Sequence, residues 1–470
     1  MQGFLSFRSE LRPVLSLAAP IALMQTGMVF YGTATTLMVG RIGPQAIAGV
    51  GLGSSLYFMV FVCAAGILLG IDPLSSRAFG AGRPAECSRV LSHAGLLALG
   101  AGLPVFMVVS CAGAVFRAIG VEPGVAAVAV DFLRALRWHV FPALLFTACR
   151  QYLQSMGITR TQLAAVILGN ALNLALGWTL IFGRFGAPAL GVRGAGWALV
   201  SANFLMLCML VLRVRREVAR SGFRWRGFDP ELFATLLRIG APAGVQLALE
   251  VGAFSAGTLL MGRIGATATA AHQIALNLAS LTFMVPLGIS HAASVLVGQG
   301  IGRGKPTSSA RAGWAALAMG CCFMALMSAV FLSAPAALAR LYTRDAAVVE
   351  LCVSLLAAAA AFQVFDGVQA VMTGALRGMG ETRIPMAANL FGHWMLGLPV
   401  GALLAFGLGV GALGIWIGFC LGLAAVAASL LLVWRVRSRD LGRRDPGQWP
   451  RSLGPHPEEA FDLAGGELRP

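Results

Sequence analysis

Charge is scarce in this sequence: only 11% of its 470 residues are Asp, Glu, Lys or Arg, under half the roughly 25% of an ordinary soluble domain. Length alone would suggest about three soluble domains, but so few ionised side chains cannot give three domains a water-facing surface. Lysine is almost missing. Lys305 stands alone among 35 basic residues, an arginine bias consistent with a GC-rich bacterial genome. Cysteine motifs are absent too: the nine cysteines contain one adjacent pair, Cys321 and Cys322, and no C-x-x-C, so neither a disulfide framework nor a zinc site is indicated. The six histidines, His93, His139, His272, His291, His393 and His456, show no metal-ligand spacing. Without a metal cluster, or a nucleophile and base at matching depth, an intramembrane enzyme is not indicated, and no cofactor is expected.

A nucleotide loop is also lacking. The string from Gly298 to Thr307 is rich in glycine, but a Walker A loop needs Gly where this chain has Gln299, and Ser or Thr where it has Pro306. No strand precedes it, and the glycine spacing recurs at Gly80 and Gly82. It is read as a tight turn, and ATP is not the energy source visible in the sequence.

What is present in excess is hydrophobicity, at 58% of residues. Apolar runs of 18 or more residues recur, each long enough to cross a ~30 Å hydrocarbon core as a helix. Twelve spans are expected, at 14–38, 46–70, 88–112, 126–147, 162–183, 194–213, 236–260, 268–292, 312–335, 348–373, 385–406 and 410–434. The first is too long for a signal peptide and no small-residue cleavage site follows it. An all-α membrane protein follows, with a cytoplasmic N-terminus (1–13), a six-helix lobe (14–213), a basic linker (214–235), a second six-helix lobe (236–434) and a proline-rich, mobile cytoplasmic tail (435–470).

The formal net charge of +16 raises the question of nucleic acid. With the N-terminus in the cytoplasm, 26 of the 35 basic residues fall in the N-terminal segment, even-numbered loops and tail, 7 fall in odd-numbered loops, and Arg134 and Arg137 lie inside a span. That is the positive-inside pattern of a multi-pass membrane protein. The largest cluster, Arg213, Arg215, Arg216, Arg220, Arg224, Arg226 and Arg238, is read as an anchor beside anionic lipid. No nucleic-acid partner is expected.

The chain repeats itself. A shift of 222 residues superposes Pro20 on Pro242, Gly40-Arg41-Ile42-Gly43 on Gly262-Arg263-Ile264-Gly265, and Gly80, Gly82 and Pro84 on Gly302, Gly304 and Pro306. A shift of 223 superposes QSMGITR on RGMGETR around Met156 and Met379. Six spans per copy is an even number, so the copies are parallel and related by an axis along the membrane normal, a plan that transporters use with a central site between bundles. Such bundles can rock against each other. Pro20 and Pro242, near the cytoplasmic ends of spans one and seven, are the candidate hinges, although prolines also simply bend membrane helices.

Most of the 19 acidic residues lie in loops, at span ends or in the tail. Asp72, Asp131 and Glu350 are expected to reach interfacial water from span ends. Glu250 and Asp366 are not: they stand 12 and 11 residues from Arg238 and Arg377, which at 1.5 Å per residue puts them roughly 18 and 16 Å into the membrane. Facing lipid there would cost each about 2.5–3.5 kcal/mol, so both are expected to face the bundle or a wet cavity. Their repeat counterparts, Met28 and Ala143, are not acidic, so the pair belongs to the second half only. Two carboxyl groups in a low-dielectric cavity titrate as a unit and can hold a proton, Na⁺ or an organic cation, each excluding the others. An inert pair of protonated acids is the structural alternative. Near them at helical spacing stand Gln246, Phe362 and Gln363, with His272, Gln273, Asn277 and Phe283 on span eight; amides can orient a ligand and aromatic rings can stack on a flat cation, or either can serve as helix packing. In the first half Asn170 and Asn173 carry the same double reading.

The strings QTGM at Gln25–Met28, Glu250-Val251 followed by AAHQIALN at Ala270–Asn277, and Asp366-Gly367-Val368-Gln369 followed by GALRGMG resemble the multidrug and toxic-compound extrusion (MATE) transporters, in their NorM-like branch. The resemblance extends over about residues 10–435. It implies a twelve-helix, two-lobed exporter that expels cationic, often aromatic small molecules in exchange for H⁺ or Na⁺, with Glu250 and Asp366 at the positions of the coupling acids. A monomer is expected. The chain departs from the branch in its first span, where an aspartate is replaced by Gly32 or Thr35, and at Phe362, where a tyrosine is familiar; the loss of these oxygens leans the coupling ion toward H⁺. The alternative is a lipid-linked precursor flippase of the same wider superfamily, which needs basic residues in the central cavity. Arg134 and Arg137 are the residues that would support it.

Overall fold

The computed structural model describes residues 2–225 and 227–441, with side chains from Glu10 onward. Residues 442–470 of the expected tail, His456 and Arg226 lie outside the described residues. Lipid offers no hydrogen-bond partner to the backbone, so a spanning segment must satisfy its own N–H and C=O groups. The described residues accordingly form helices and no strands. We number the spanning helices α1 (Gln2–Val39), α2 (Pro44–Gly80), α3 (Pro84–Ser110), α4 (123–155), α5 (Arg160–Phe182), α6 (Val192–Arg220), α7 (Pro230–Ile264), α8 (Ala266–Gly302), α9 (Pro306–Ser333), α10 (Ala346–Gly378), α11 (Arg383–Gly407) and α12 (Ala412–Leu441). Eleven of them are long and apolar enough to cross a membrane. The exception, α4, carries Asp131, Arg134, Arg137 and Arg150 and is tightened by a 3₁₀ turn at Arg137–His139.

The repeat is visible in local detail. Gly82 (φ +73°) and Gly304 (φ +65°) are left-handed turn residues, each two residues before a proline, Pro84 or Pro306, in the first turn of the next helix. The glycine-rich string around Lys305 is therefore the end of α8, a turn, and the start of α9. Short helices at Ala112–Ala118 and Pro335–Arg340 follow α3 and α9 in the same way.

Some boundaries differ from expectation. The linker is shorter, because α6 runs to Arg220 and α7 starts at Pro230; Asp229 caps α7 by accepting from Glu231 N–H (3.0 Å) and Leu232 N–H (3.1 Å) and pairs with Arg89. The Leu232 N–H, and then Arg89, hold its carboxyl below the usual carboxylate range. The last helix continues past residue 434 to Leu441. Most consequentially, α2 continues to Gly80 rather than ending near residue 70. Asp72 therefore does not reach interfacial water: it is fully buried, because helices of the other lobe cover it.

The lobes α1–α6 and α7–α12 meet through α1 against α8 and α2 against α7. The closest approaches use small residues in repeat-related pairs. A Cβ on Gly66 would lie 2.5 Å from Gly244 Cα, and one on Gly288 would lie 2.8 Å from Ala22 Cα; Gly66 and Gly288, like Ala22 and Gly244, are 222 residues apart. Further along, a Cβ on Gly80 would meet Gln299 O at 2.2 Å and one on Gly302 would meet Arg77 O at 2.1 Å. All these contacts lie toward the end that carries the basic loops. There the apolar cores also merge, Ile289, Val297, Val371 and Leu430 joining first-lobe residues. At the opposite end Met261, Leu278, Leu355 and Leu423 belong to a separate second-lobe core. The molecule is closed at its basic end and parted at the other.

Pro20 and Pro242 interrupt α1 and α7 two residues before Ala22 and Gly244. Each removes one ladder hydrogen bond beside the tightest inter-lobe contact. Gly66→Val and Gly288→Val should each overpack this contact, at a cost of about 1–3 kcal/mol, and widen spin-label distances across the basic end. Gly95→Val, at an open position, should leave those distances unchanged; equal distances in all three variants would show that the contact does not hold the lobes together.

Candidate functional site

Glu250 on α7 and Asp366 on α10 both point into the second lobe. Asp366 is 6% exposed and Glu250 half-buried. Gln369, one turn beyond Asp366, donates from Nε2 to Glu250 Oε2 (3.2 Å) and to Asn389 Oδ1 on α11 (3.2 Å), and Asn389 is fixed by donating to Pro385 O (2.9 Å). Trp394 Nε1 donates to Leu249 O (2.9 Å), strapping α11 over the turn that carries Glu250. Beneath the acids lies an aromatic wall: Phe254 contacts Phe362 and Phe419 edge-on at 5.9 and 5.3 Å between ring centroids, and Phe362 contacts Trp416 at 5.7 Å. His393, 6.0 Å from Phe254, is buried with neither ring nitrogen hydrogen-bonded.

Of the residues expected from sequence, Phe362 and Gln363 join this group. Gln363 Oε1 accepts from Thr282 on α8 (2.7 Å), leaving its Nε2 unpartnered. Gln246 is buried one turn from Glu250. His272 is buried against Trp416 (5.8 Å) and bonded to Thr258 (3.0 Å). Phe283 is half-buried. Gln273 and Asn277 are not brought to the acids: they lie on the exposed face of α8, where Asn277 accepts from Tyr342 (2.8 Å). The first-lobe candidates form a separate group. Asn173 donates to Tyr31 O (3.3 Å) and Thr35 Oγ1 (3.2 Å), and Asn170 to Gly27 O (3.0 Å), joining α5 to α1. No carboxylate is among them.

Gln369, Asn389, His393 and Thr282 are additions from the structure. The signals for them were modest: an amide three residues after an acid, and a polar pair four residues apart within an apolar span. Phe254, Trp416 and Phe419 carried none, since single aromatic residues are common in membrane helices.

A second buried constellation closes the basic end. Asp72 on α2 lies 3.7 Å from His291 Nδ1 on α8 and 3.7 Å from Arg377 Nε on α10, and Arg377 contacts His291 at 3.4 Å. Nearby, Arg150 donates to Gln25 (2.8 Å), and Gln299 donates across the lobes to Ser155 O (2.8 Å). The arginines that would have supported a flippase lie elsewhere. Arg134 is exposed and paired with Asp131 (3.0 Å), and Arg137 lies against Phe106 and Trp138 at the far end of the first lobe.

The fold and its acid-bearing second lobe define a two-lobed, twelve-helix membrane transporter. The MatE family model matches the chain twice, at residues 20–179 and 242–403, once per lobe. The chain is 38% identical over 445 residues to the probable multidrug resistance protein NorM of Mesorhizobium japonicum, covering 92% of this chain and 95% of that one. It is 36% identical over 431 residues to the multidrug resistance protein NorM of Burkholderia vietnamiensis, covering 89% and 92%. Among solved structures, the eukaryotic MATE transporter AtDTX14 superposes with a TM-score of 0.83 at 22% identity, covering 93% and 99%; an outward-facing multidrug resistance MATE transporter gives 0.82 at 20%, covering 92% and 96%. The chain belongs to the MATE family and is a multidrug efflux transporter of the NorM type.

Removing one partner of a buried ionic group leaves the other uncompensated, at about 3–5 kcal/mol. Asp72→Asn should therefore lower the thermal midpoint of the detergent-solubilised protein, and Asp72→Asn with Arg377→Met should recover part of the loss. An unchanged midpoint in the single variant would mean that water solvates the cluster.

Proposed function

We propose that the protein exports organic cations across the bacterial inner membrane in exchange for H⁺, or Na⁺, by alternating access of its two lobes, with the basic end and both termini in the cytoplasm. One observation carries this reading: among the described residues neither Glu250 nor Asp366 is in an ion pair. Two uncompensated carboxyl groups beside an aromatic wall suit a delocalised cation as well as a proton. A proton or Na⁺ on the acids excludes the drug, and the drug excludes the ion. Exclusive occupancy couples the two fluxes.

One-for-one exchange of H⁺ for a monovalent organic cation moves no net charge, so the ion's own concentration gradient drives it, at about 1.4 kcal/mol per pH unit; each further charge taken up per turnover adds about 2.3 kcal/mol at 100 mV. The closed basic end and parted opposite end correspond to the state that releases drug outside and takes up the ion. Gln369, bonded to Glu250 and Asn389 together, is suited to transmit occupancy of the acids to α11. The flippase reading is not favoured, because Arg134 and Arg137 lie away from the acids and Arg150 and Arg377 are engaged at the basic end.

In proteoliposomes, Glu250→Gln and Asp366→Asn should each abolish gradient-driven efflux of an ethidium-type dye while leaving membrane insertion intact. Imposing H⁺ and Na⁺ gradients separately identifies the ion, with H⁺ expected. Normal transport by both variants would overturn the coupling role.

A further inference from the structure

Nine arginines lie away from the basic end, against the charge bias of the rest of the chain, and four of them gather at one place. Where α3 ends, a cavity of about 330 Å³ opens between that terminus, the short helix Ala112–Ala118 and α4, lined by Arg117, Arg134, Arg137, Ser110 and Cys111 among others. Arg193 stands beside it on α6. Asp131 accepts from Arg134 (3.0 Å) and Arg193 (2.9 Å) together, while Arg117 and Arg137 line the cavity with Arg134. Among the described residues Arg117 and Arg137 have no carboxylate partner. Arg137 is half-buried, its guanidinium carbon 5.9 Å from the Phe106 ring and 5.5 Å from the Trp138 ring, and its Nε is buried without a hydrogen-bond partner.

The surroundings indicate what the excess positive charge meets. Trp138 is 48% exposed, as an indole at the membrane–water boundary is. Running up to the cavity on α3 is an exposed apolar stripe, Leu96, Leu99, Leu103 and Met107, spaced three or four residues apart, so it occupies one helix face. Ser110 and Cys111 end that stripe and line the cavity. A ligand with an anionic head and an apolar tail matches both parts in one pose, and Arg is the side chain whose planar fork suits phosphate oxygens.

We propose that this cavity binds the phosphate headgroup of an anionic phospholipid from the leaflet at the end opposite the basic loops, with an acyl chain along the α3 stripe. Arg117 and Arg137 hold the phosphate, Asp131 keeps Arg134 and Arg193 in place at the rim, and Trp138 sets the depth. The site lies in the first lobe, apart from the acids of the second.

The test uses the purified full chain in neutral detergent, titrated with phosphatidylglycerol, phosphatidylcholine or inorganic phosphate. Two readouts are followed: lipid retained in native mass spectrometry, and alkylation of Cys111 by a maleimide, read by peptide mapping. Phosphatidylglycerol should be retained and should slow Cys111 alkylation, with phosphatidylcholine much weaker. A basic residue contributes roughly fivefold to binding of anionic lipid, so Arg117→Gln with Arg137→Gln should weaken retention by about thirty-fold, while Arg184→Gln, an exposed arginine at the same end outside the cavity, should not. Equal Cys111 protection by both lipids in the unaltered protein would overturn the proposal without recourse to any variant. So would protection by inorganic phosphate alone, which would identify a soluble anion as the occupant.

Discussion

The near-contact of backbones between the lobes, Gly66 against Gly244 and Gly288 against Ala22, governs the rest of the architecture. Between helices in lipid there is little hydrophobic gain to be had, so association depends on close packing and polar contacts, and here the side chains at the crossing points are reduced to hydrogen or methyl. Because the repeat supplies each contact twice, the two lobes touch along a pseudo-twofold seam confined to one end. Everything beyond the seam is free to separate. The parted end, the separate apolar core of the second lobe and the accessibility of Glu250 all follow from where those small residues stop.

The seam is reinforced by groups that lipid would not tolerate. Asp72, His291 and Arg377 come from three helices and both lobes, and they are compensated only while the lobes are together at the basic end. Small residues supply a close but directionless fit, and the buried charges supply register. When the basic end opens, water must replace the other lobe around each of them, so the barrier to the change depends on solvation at this cluster as much as on packing.

Much of this was legible in the sequence because the lipid constraint is severe. Hydropathy located the helices, and the 222-residue shift found both lobes and the turn glycines that recur in them. The depth argument for Glu250 and Asp366 required only helix rise and two arginine markers. What escaped was whatever depends on which way a helix faces. Gln273 and Asn277 share α8 with His272, but one face of that helix meets Trp416 and the other is exposed. Asp72 looked like a span end because hydropathy falls at Ser75, Ser76 and Arg77, whereas α2 continues to Gly80 beneath a second lobe whose cover no local signal announces. Asn170 and Asn173 carry side chains of the same type as Asn389, yet they tie α5 to α1, because no acid stands opposite them.

The unusual winding of α11 sets the two halves apart in another way. It and its counterpart α5 begin at corresponding residues, Arg383 and Arg160, yet α5 has 23 residues and α11 has 25. The surplus coincides with wide π turns at Leu390–Gly397 and Leu403–Gly407, the signature of residues inserted into an α-helix without breaking it. Each inserted residue swings all that follows by about 100° around the helix axis, which re-aims His393 and Trp394 relative to Asn389. If the chain arose by duplication of one six-helix ancestor, the second copy diverged by lengthening a helix as well as by acquiring acids. An added residue changes the facing of many side chains in one event, so it offers a shorter evolutionary path from a symmetric pair of lobes to an asymmetric one than substitution alone.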